Sequence, residues 1–170
     1  DGNFAQAEHI QAFCQKYEAY LIVDEAHATG VYESVRGENI LALHTCGKAV
    51  GVAGGLVCGS DEMISMLINT ARGFIYSTAP PPLQALLCQK SLEILNGSAG
   101  DQKRADLKKL VAFMGTESQI MPIIIGDDAR AVQVAAFCQA RGVDVRAIRP
   151  PTVPEGTARY YRATRISWLG

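Results

Sequence analysis

Hydrophobic and polar positions along this chain recur at two periods, and the switches between them mark the elements. Residues 5–17 carry Ala7, Ile10, Phe13, Cys14 and Tyr17 on one stripe, the spacing of a helix. Residues 19–24 run through Leu21, Ile22 and Val23 and close on Asp24, which predicts a buried strand following that helix in a parallel sheet. Polar residues with Gly30 and Gly37 make 28–40 a loop. Leu41–Thr45 reads as a short strand, a glycine-rich turn follows, and Gly55–Cys58 reads as the next strand. Ser60, followed by Asp61 and Glu62, predicts an N-cap with two acids in the first turn of a helix running to about Ala71. Phe74–Thr78 reads as a strand that ends in two hydroxyls and is stopped by prolines. Proline is tolerated in a first helical turn, so a helix is expected from Pro82 to Leu95.

Asn96–Gly100 is a glycine-rich turn, a kink or a boundary. A polar helix over about 101–113 follows, its Lys and Arg residues forming a solvated face. The pattern then changes: a strand at Ile120–Gly126, a helix from Asp127/Asp128 to Ala140 ended by Gly142, and a strand at Val143–Ile148. Arg149–Pro154 is a stiff extended loop, because its prolines exclude a helix. Ala158–Ser167 closes the series as a strand. Strand, helix, strand, loop and strand in that order predict a small α+β domain.

Composition narrows the class. The chain has 170 residues, 48% hydrophobic and 19% charged, the balance of an ordinary globular protein. A net charge of -1 offers no basic footprint for nucleic acid and no polybasic patch for a membrane surface. No apolar run approaches the roughly 18 residues of a membrane span, and no signal peptide opens the chain. Five scattered cysteines (14, 46, 58, 88, 138) suit reduced thiols in a cytoplasmic protein. Cys14 and Cys138 each follow a phenylalanine in a helical pattern and read as core.

The chemistry gathers around Lys48. It sits among Gly47, Gly51, Gly54 and Gly55, between apolar stretches. A buried lysine loses its charge readily, because desolvation disfavours the ammonium form. Such an amine suits covalent capture of a carbonyl cofactor; on this stretch alone, a solvated turn lysine explains the pattern equally well. Upstream, Asp24 lies at the carboxyl end of its strand, where open α/β sheets bind ligands. A pyridoxal-phosphate enzyme needs a lysine for the aldehyde and an acid for the pyridinium nitrogen.

Asp24-Glu-Ala-His27 together with Thr45-Cys-Gly-Lys48 resembles the aspartate, histidine and lysine motifs of the α-oxoamine synthase family, fold-type-I pyridoxal-phosphate enzymes. The resemblance covers nearly all of the chain. It implies an α/β fold with a mostly parallel sheet: residues 1–98 as the second half of the large cofactor domain and 99–170 as a small α+β C-terminal domain. The family's N-terminal half, with the aromatic that stacks on the cofactor, is then expected to be absent. The resemblance further implies pyridoxal 5'-phosphate held by Lys48, with Asp24 at the ring nitrogen and His27 at the ring oxygen. Thr45, Ser77 and Thr78 are the expected phosphate contacts, with Thr78 reaching the cofactor of a neighbouring subunit in a homodimer that shares its sites.

The stretch Ala147–Arg159 looks most like the subgroup that joins a pimeloyl thioester to L-alanine, with decarboxylation, in biotin synthesis. Arg149, stiffened by prolines, is a candidate for a substrate carboxylate, as is Arg162. The tail departs from the family here: Tyr161 stands where the family's carboxylate-binding arginine falls, and Arg162 follows it. The intervals from Asp24 to Lys48 and from Val111 to Gln119 are also shorter than the family's.

Other readings remain. A family member using glycine or serine, or a non-catalytic portion that packs or dimerises, fits the same motifs. Asp-Glu-Ala-His is also a helicase box, but that reading needs G-x-x-x-x-G-K-[ST] ahead of it. Here Gly47-Lys48 follows the box, Ala42 replaces the first glycine, and Ala49 replaces the hydroxyl. A metal site built from His27, His44 and Cys46 lacks a fourth ligand at normal spacing.

Overall fold

The computed structural model describes residues 2–163, with side chains as far as Tyr160. The chain divides into two compact units, one of Ala5–Arg104 and one formed from Ala105 onward with the first four residues.

The first unit holds α1 (Ala7–Lys16), β1 (Leu21–Asp24), β2 (Ile40–Thr45), β3 (Gly55–Cys58), α2 (Asp61–Thr70), α3 (Arg72–Ile75), α4 (Pro82–Leu95) and the start of α5 (Ser98–Met114). Its sheet has the order β1-β2-β3. β1 and β2 pair in parallel, with Asp24 beside Leu43. β2 and β3 are antiparallel, with Thr45 beside Gly55. The sheet is therefore half parallel rather than mostly parallel, because the connection over 46–54 is too short for the crossover that a parallel pair needs.

The two faces of this sheet differ. Side chains alternate along a strand, and Ile40 and Ala42 on one face are 2% and 3% exposed. On the other face Ile22, Leu43 and Val57 are exposed. The expected burial of β1 is thus a half-truth: Leu21 and Val23 are half-buried, while Ile22 and Asp24 face out from an edge strand. The core under the turn is Cys46, Val50 and Leu95, with Val52, Leu56, Cys88 and Leu92 around it.

Several boundaries follow local chemistry. The Ser60 hydroxyl accepts from the Met63 amide and caps α2. Pro82 occupies the first turn of α4. The strand expected at Phe74–Thr78 is instead a single helical turn, α3. Having no neighbouring strand in the described sheet to bond, its backbone bonds locally, Ile75 N to Ala71 O and Tyr76 N to Arg72 O. The polar helix begins earlier than the expected 101, at Ser98, with the Asp101 amide donating to Gly97 O.

The second unit continues α5 into β4 (Ile120–Gly126), α6 (Asp128–Gln139), β5 (Ala147–Ile148) and β6 (Ala158–Ala163). Its sheet is wholly antiparallel, ordered β4-β6-β5. Asp127 caps α6 through the Arg130 amide at 2.8 Å. Ala131 and Ala135 of α6 and Ala158 of β6 are buried, small residues that let helix and sheet approach closely. The strand expected over 143–148 shrinks to two residues. Val143 N returns to Cys138 O and Gln139 Nε2 takes Val145 O, so 143–146 is held as a loop. Residues 164–167 of the expected closing strand lie outside the described residues.

Candidate active site

Asp24 ends β1, and its Oδ1 accepts the Ala26 amide at 2.9 Å, which turns the chain away from the strand. His27 follows within a helical turn whose Ala28 and Thr29 amides both donate to Glu25 O. Thr45 ends β2 two residues beyond Leu43, so Asp24 and Thr45 project from the same, open face of the sheet.

Lys48 lies in the turn between β2 and β3. Cys46 N donates to Gly54 O and Val52 N to Cys46 O, which closes the turn on itself. Gly51 and Gly54 take φ values of +75° and +111°, conformations that would strain any residue with a Cβ. From α4, Ser91 Oγ donates to Val50 O and Gln84 Nε2 to Ala53 O, pinning the turn from beneath. Cys46 and Val50, at 3% and 4% exposure, are its buried anchors.

This geometry decides between the buried and the solvated lysine. With Cys46 and Val50 pointing inward, Gly47 and Lys48 are held outward, and Lys48 is exposed. The electrostatics still join the three expected catalytic residues. His27 is held below its ordinary pKa of 6.5, by partial burial first and by the Lys48 charge second, while the Asp24 carboxylate pulls the other way. His27 therefore senses both partners. Burial, with Cys88 adding, pushes the Cys46 thiol up; its sulfur lies 3.9 Å from that of Cys88. A protonated thiol next to the lysine turn does not compete with an amine as nucleophile.

The remaining expected residues are divided between the two units. Ser77 and Thr78 are exposed just after α3, and the Ser77 hydroxyl donates to Gly73 O at 2.6 Å, so its proton is already engaged. Arg149 is exposed at the start of the proline loop of the second unit, its carbonyl accepting the Thr152 amide. Arg162 lies in β6 opposite Met121, and its side chain falls outside the described residues. Among the described residues, no group of three or more His, Cys, Asp or Glu is placed to hold a metal ion, and no helix is long and apolar enough to cross a membrane.

Sequence reasoning passed over Glu25 and weighed His44 only as a metal ligand. Glu25 is 4% exposed, and its carboxylate takes the Val35 amide at 2.6 Å and faces His44 Nδ1 at 3.5 Å. The only sequence signal was a carboxylate directly after a strand end, which turn chemistry explains equally well.

The mixed α/β unit carries an acid, an imidazole and an amine at and just past the ends of β1 and β2, and its structural neighbours are fold-type-I aminotransferase-like proteins. The chain belongs to the aminotransferase class I and II family, whose model matches residues 1–167. It is 37% identical over 94% of its length to 8-amino-7-oxononanoate synthase of Cupriavidus necator, covering 46% of that protein. The chain thus spans about half the length of the curated relatives it matches. A serine palmitoyltransferase of Sphingomonas wittichii superposes at TM-score 0.82, with 26% identity over 96% of this chain and 46% of that one. A serine palmitoyltransferase from S. paucimobilis with a bound PLP–myriocin adduct superposes at 0.84, with 24% identity over 96% and 46%.

Proposed function

We propose that this chain is part of a pyridoxal-phosphate-dependent acyltransferase that condenses a pimeloyl thioester with L-alanine, with decarboxylation, as 8-amino-7-oxononanoate synthases do in biotin synthesis. The observation that carries the reading is that Asp24 and Thr45 share one open sheet face, and the Lys48 charge, after burial, holds His27 below its ordinary pKa against the pull of Asp24. That donor set fits the cofactor: an acid, an imidazole, an amine and a hydroxyl, beside an exposed sheet face.

When bound, the cofactor supplies an aldehyde for amines and a ring that accepts the electron pair left at an amino acid's α-carbon. The chain's own residues do the rest. Asp24 would keep the proton on the ring nitrogen. His27, with its lowered pKa, is a neutral imidazole near neutral pH and can donate or accept a proton at the ring oxygen. Thr45 would hydrogen-bond the phosphate. Thr78 would do so across a homodimer interface, with Ser77 beside it. Lys48 would hold the aldehyde, and its amine would be the base for the amino acid's α-proton. Arg149 and Arg162 orient a substrate carboxylate. In this reading residues 1–98 complete a large domain, 99–170 form a small α+β domain, and the enzyme works in the cytoplasm.

In the full-length protein with pyridoxal phosphate, Lys48→Ala should abolish the violet absorbance of the lysine-bound cofactor. An unchanged spectrum in that variant refutes the assignment. Serine and glycine are the alternative amino acids. Titrating the full-length protein with alanine, glycine and serine separates them, since the true substrate shifts the band at the lowest concentration.

A further inference from the structure

Asp24 and Thr45 face the open side of the sheet; their chain neighbours Glu25 and His44 meet on the covered side. We propose that Glu25 and His44 form a positioning couple that fixes the spacing between the site's two arms, Asp24–His27 and Thr45–Lys48. The inference rests on the functional reading above.

A carboxylate at 4% exposure persists only where hydrogen bonds replace its water. Glu25 supplies bonds in three directions. Its amide donates to Leu43 O at 2.8 Å, extending the parallel pairing one step past β1. Its carbonyl accepts the Thr29 amide and the Thr29 hydroxyl, both at 2.8 Å. Its carboxylate accepts the Val35 amide at 2.6 Å and faces His44 Nδ1 at 3.5 Å.

The tautomer of His44 follows from proton bookkeeping. The single hydroxyl proton of Thr29 goes to Glu25 O, so Thr29 Oγ1 can only accept across its 3.1 Å contact with His44 Nδ1. Nδ1 therefore carries a proton, and it points between Thr29 Oγ1 and the Glu25 carboxylate. Each of these contacts ties the 25–35 segment, which carries His27, to β2, which ends in Thr45 and leads to Lys48. Reacting groups are sensitive to such spacing: a shift of about 1 Å can cost about a hundredfold in rate.

An isosteric change separates positioning from space filling. Glu25→Gln keeps the volume and can still accept the Val35 amide, but it turns an amide donor toward the Nδ1 proton. His44 must then change tautomer, leaving Thr29 Oγ1 without its donor. His44→Leu keeps bulk and removes the donor, while His44→Asn keeps a donor near the Nδ1 position.

In the full-length protein loaded with pyridoxal phosphate, Glu25→Gln and His44→Leu should lower kcat by about ten- to a hundredfold, with thioester KM within about twofold. Both should alter the visible circular dichroism of the cofactor band, and His44→Asn should restore kcat and the band. Wild-type kcat and dichroism in Glu25→Gln overturn the proposal, as does a His44→Asn variant no better than His44→Leu. If His44→Leu does not fold, the other two variants still decide. Ring nitrogen NMR shifts of the cofactor-free protein give an independent answer: Nδ1 protonated is expected, and an Nε2–H tautomer overturns the couple. A wild-type protein without the violet band sinks the functional reading alone, since the nitrogen shifts still judge the couple.

Discussion

Leu95→Ala tests the platform under the lysine turn. Leu95 is 5% exposed and packs with Cys46 and Val50, the two anchors that flank Lys48. Its methyl groups would lie 3.2–3.3 Å from a Cβ added at Gly30, so the site is filled on that side too. Truncation removes three carbons, a transfer loss of about 2.4 kcal/mol at ~0.8 kcal/mol each. A cavity adds about 24 cal/mol per Å³ that the surroundings fail to fill. Cys88 and Leu92 are only partly buried and can move in, which places the total near the low end of the Leu→Ala range, about 3 kcal/mol. Urea unfolding of the full-length protein should shift its midpoint down by about 1.5 M for a slope of ~2 kcal/mol/M. Exchange of the Val52 amide, bonded to Cys46 O, should quicken by about a hundredfold if this core governs the turn's opening. A midpoint shift under about 0.5 M at unchanged slope, with Val52 protection intact, would falsify the account of how the turn is held.

Two further outcomes are expected. Because His27 titrates below 6.5 when folded, the folded protein binds fewer protons than the unfolded chain as pH falls below 6.5. The stability tied to this residue is thus present above 6.5 and is lost as pH drops through the folded value. Lys48→Ala should raise the His27 midpoint in an NMR titration and Asp24→Asn should lower it further; a midpoint indifferent to both would show that the three are not neighbours. Asp127→Ala should cost about 1 kcal/mol through loss of the α6 cap, and Asp127→Ser should recover most of it; equal urea midpoints for wild type and Asp127→Ala refute the cap.

Elements whose signals are local were legible in the sequence. β3 lies between Gly54 and Gly59, α4 begins at Pro82, β4 ends at Gly126, and Ser60 caps the helix it was expected to cap. What depends on neighbours was not legible. Phe74 and Ile75 have strand-forming side chains, yet a strand needs a partner, and local bonds prevailed. The glycine and apolar neighbours of Lys48 left its burial open, because exposure is set by which of them point inward, and Cys46 and Val50 do. At the site, Asp24, His27, Thr45 and Lys48 were readable because strand ends and motif spacing mark them. Glu25 and His44 meet across 19 positions of sequence, at a register no spacing rule announces.

The two-sidedness of the small sheet has a consequence for how this stretch tolerates change. Along β2, the even positions 40 and 42 answer to the fold, while the odd position 43 and Thr45 after it answer to whatever the sheet receives. A randomised library should therefore sort by parity. Selection for foldedness would purge variants at even positions and pass those at odd ones, and selection for turnover would reach both. A sequence drifting without catalytic duty would show its wear on one side of a strand first.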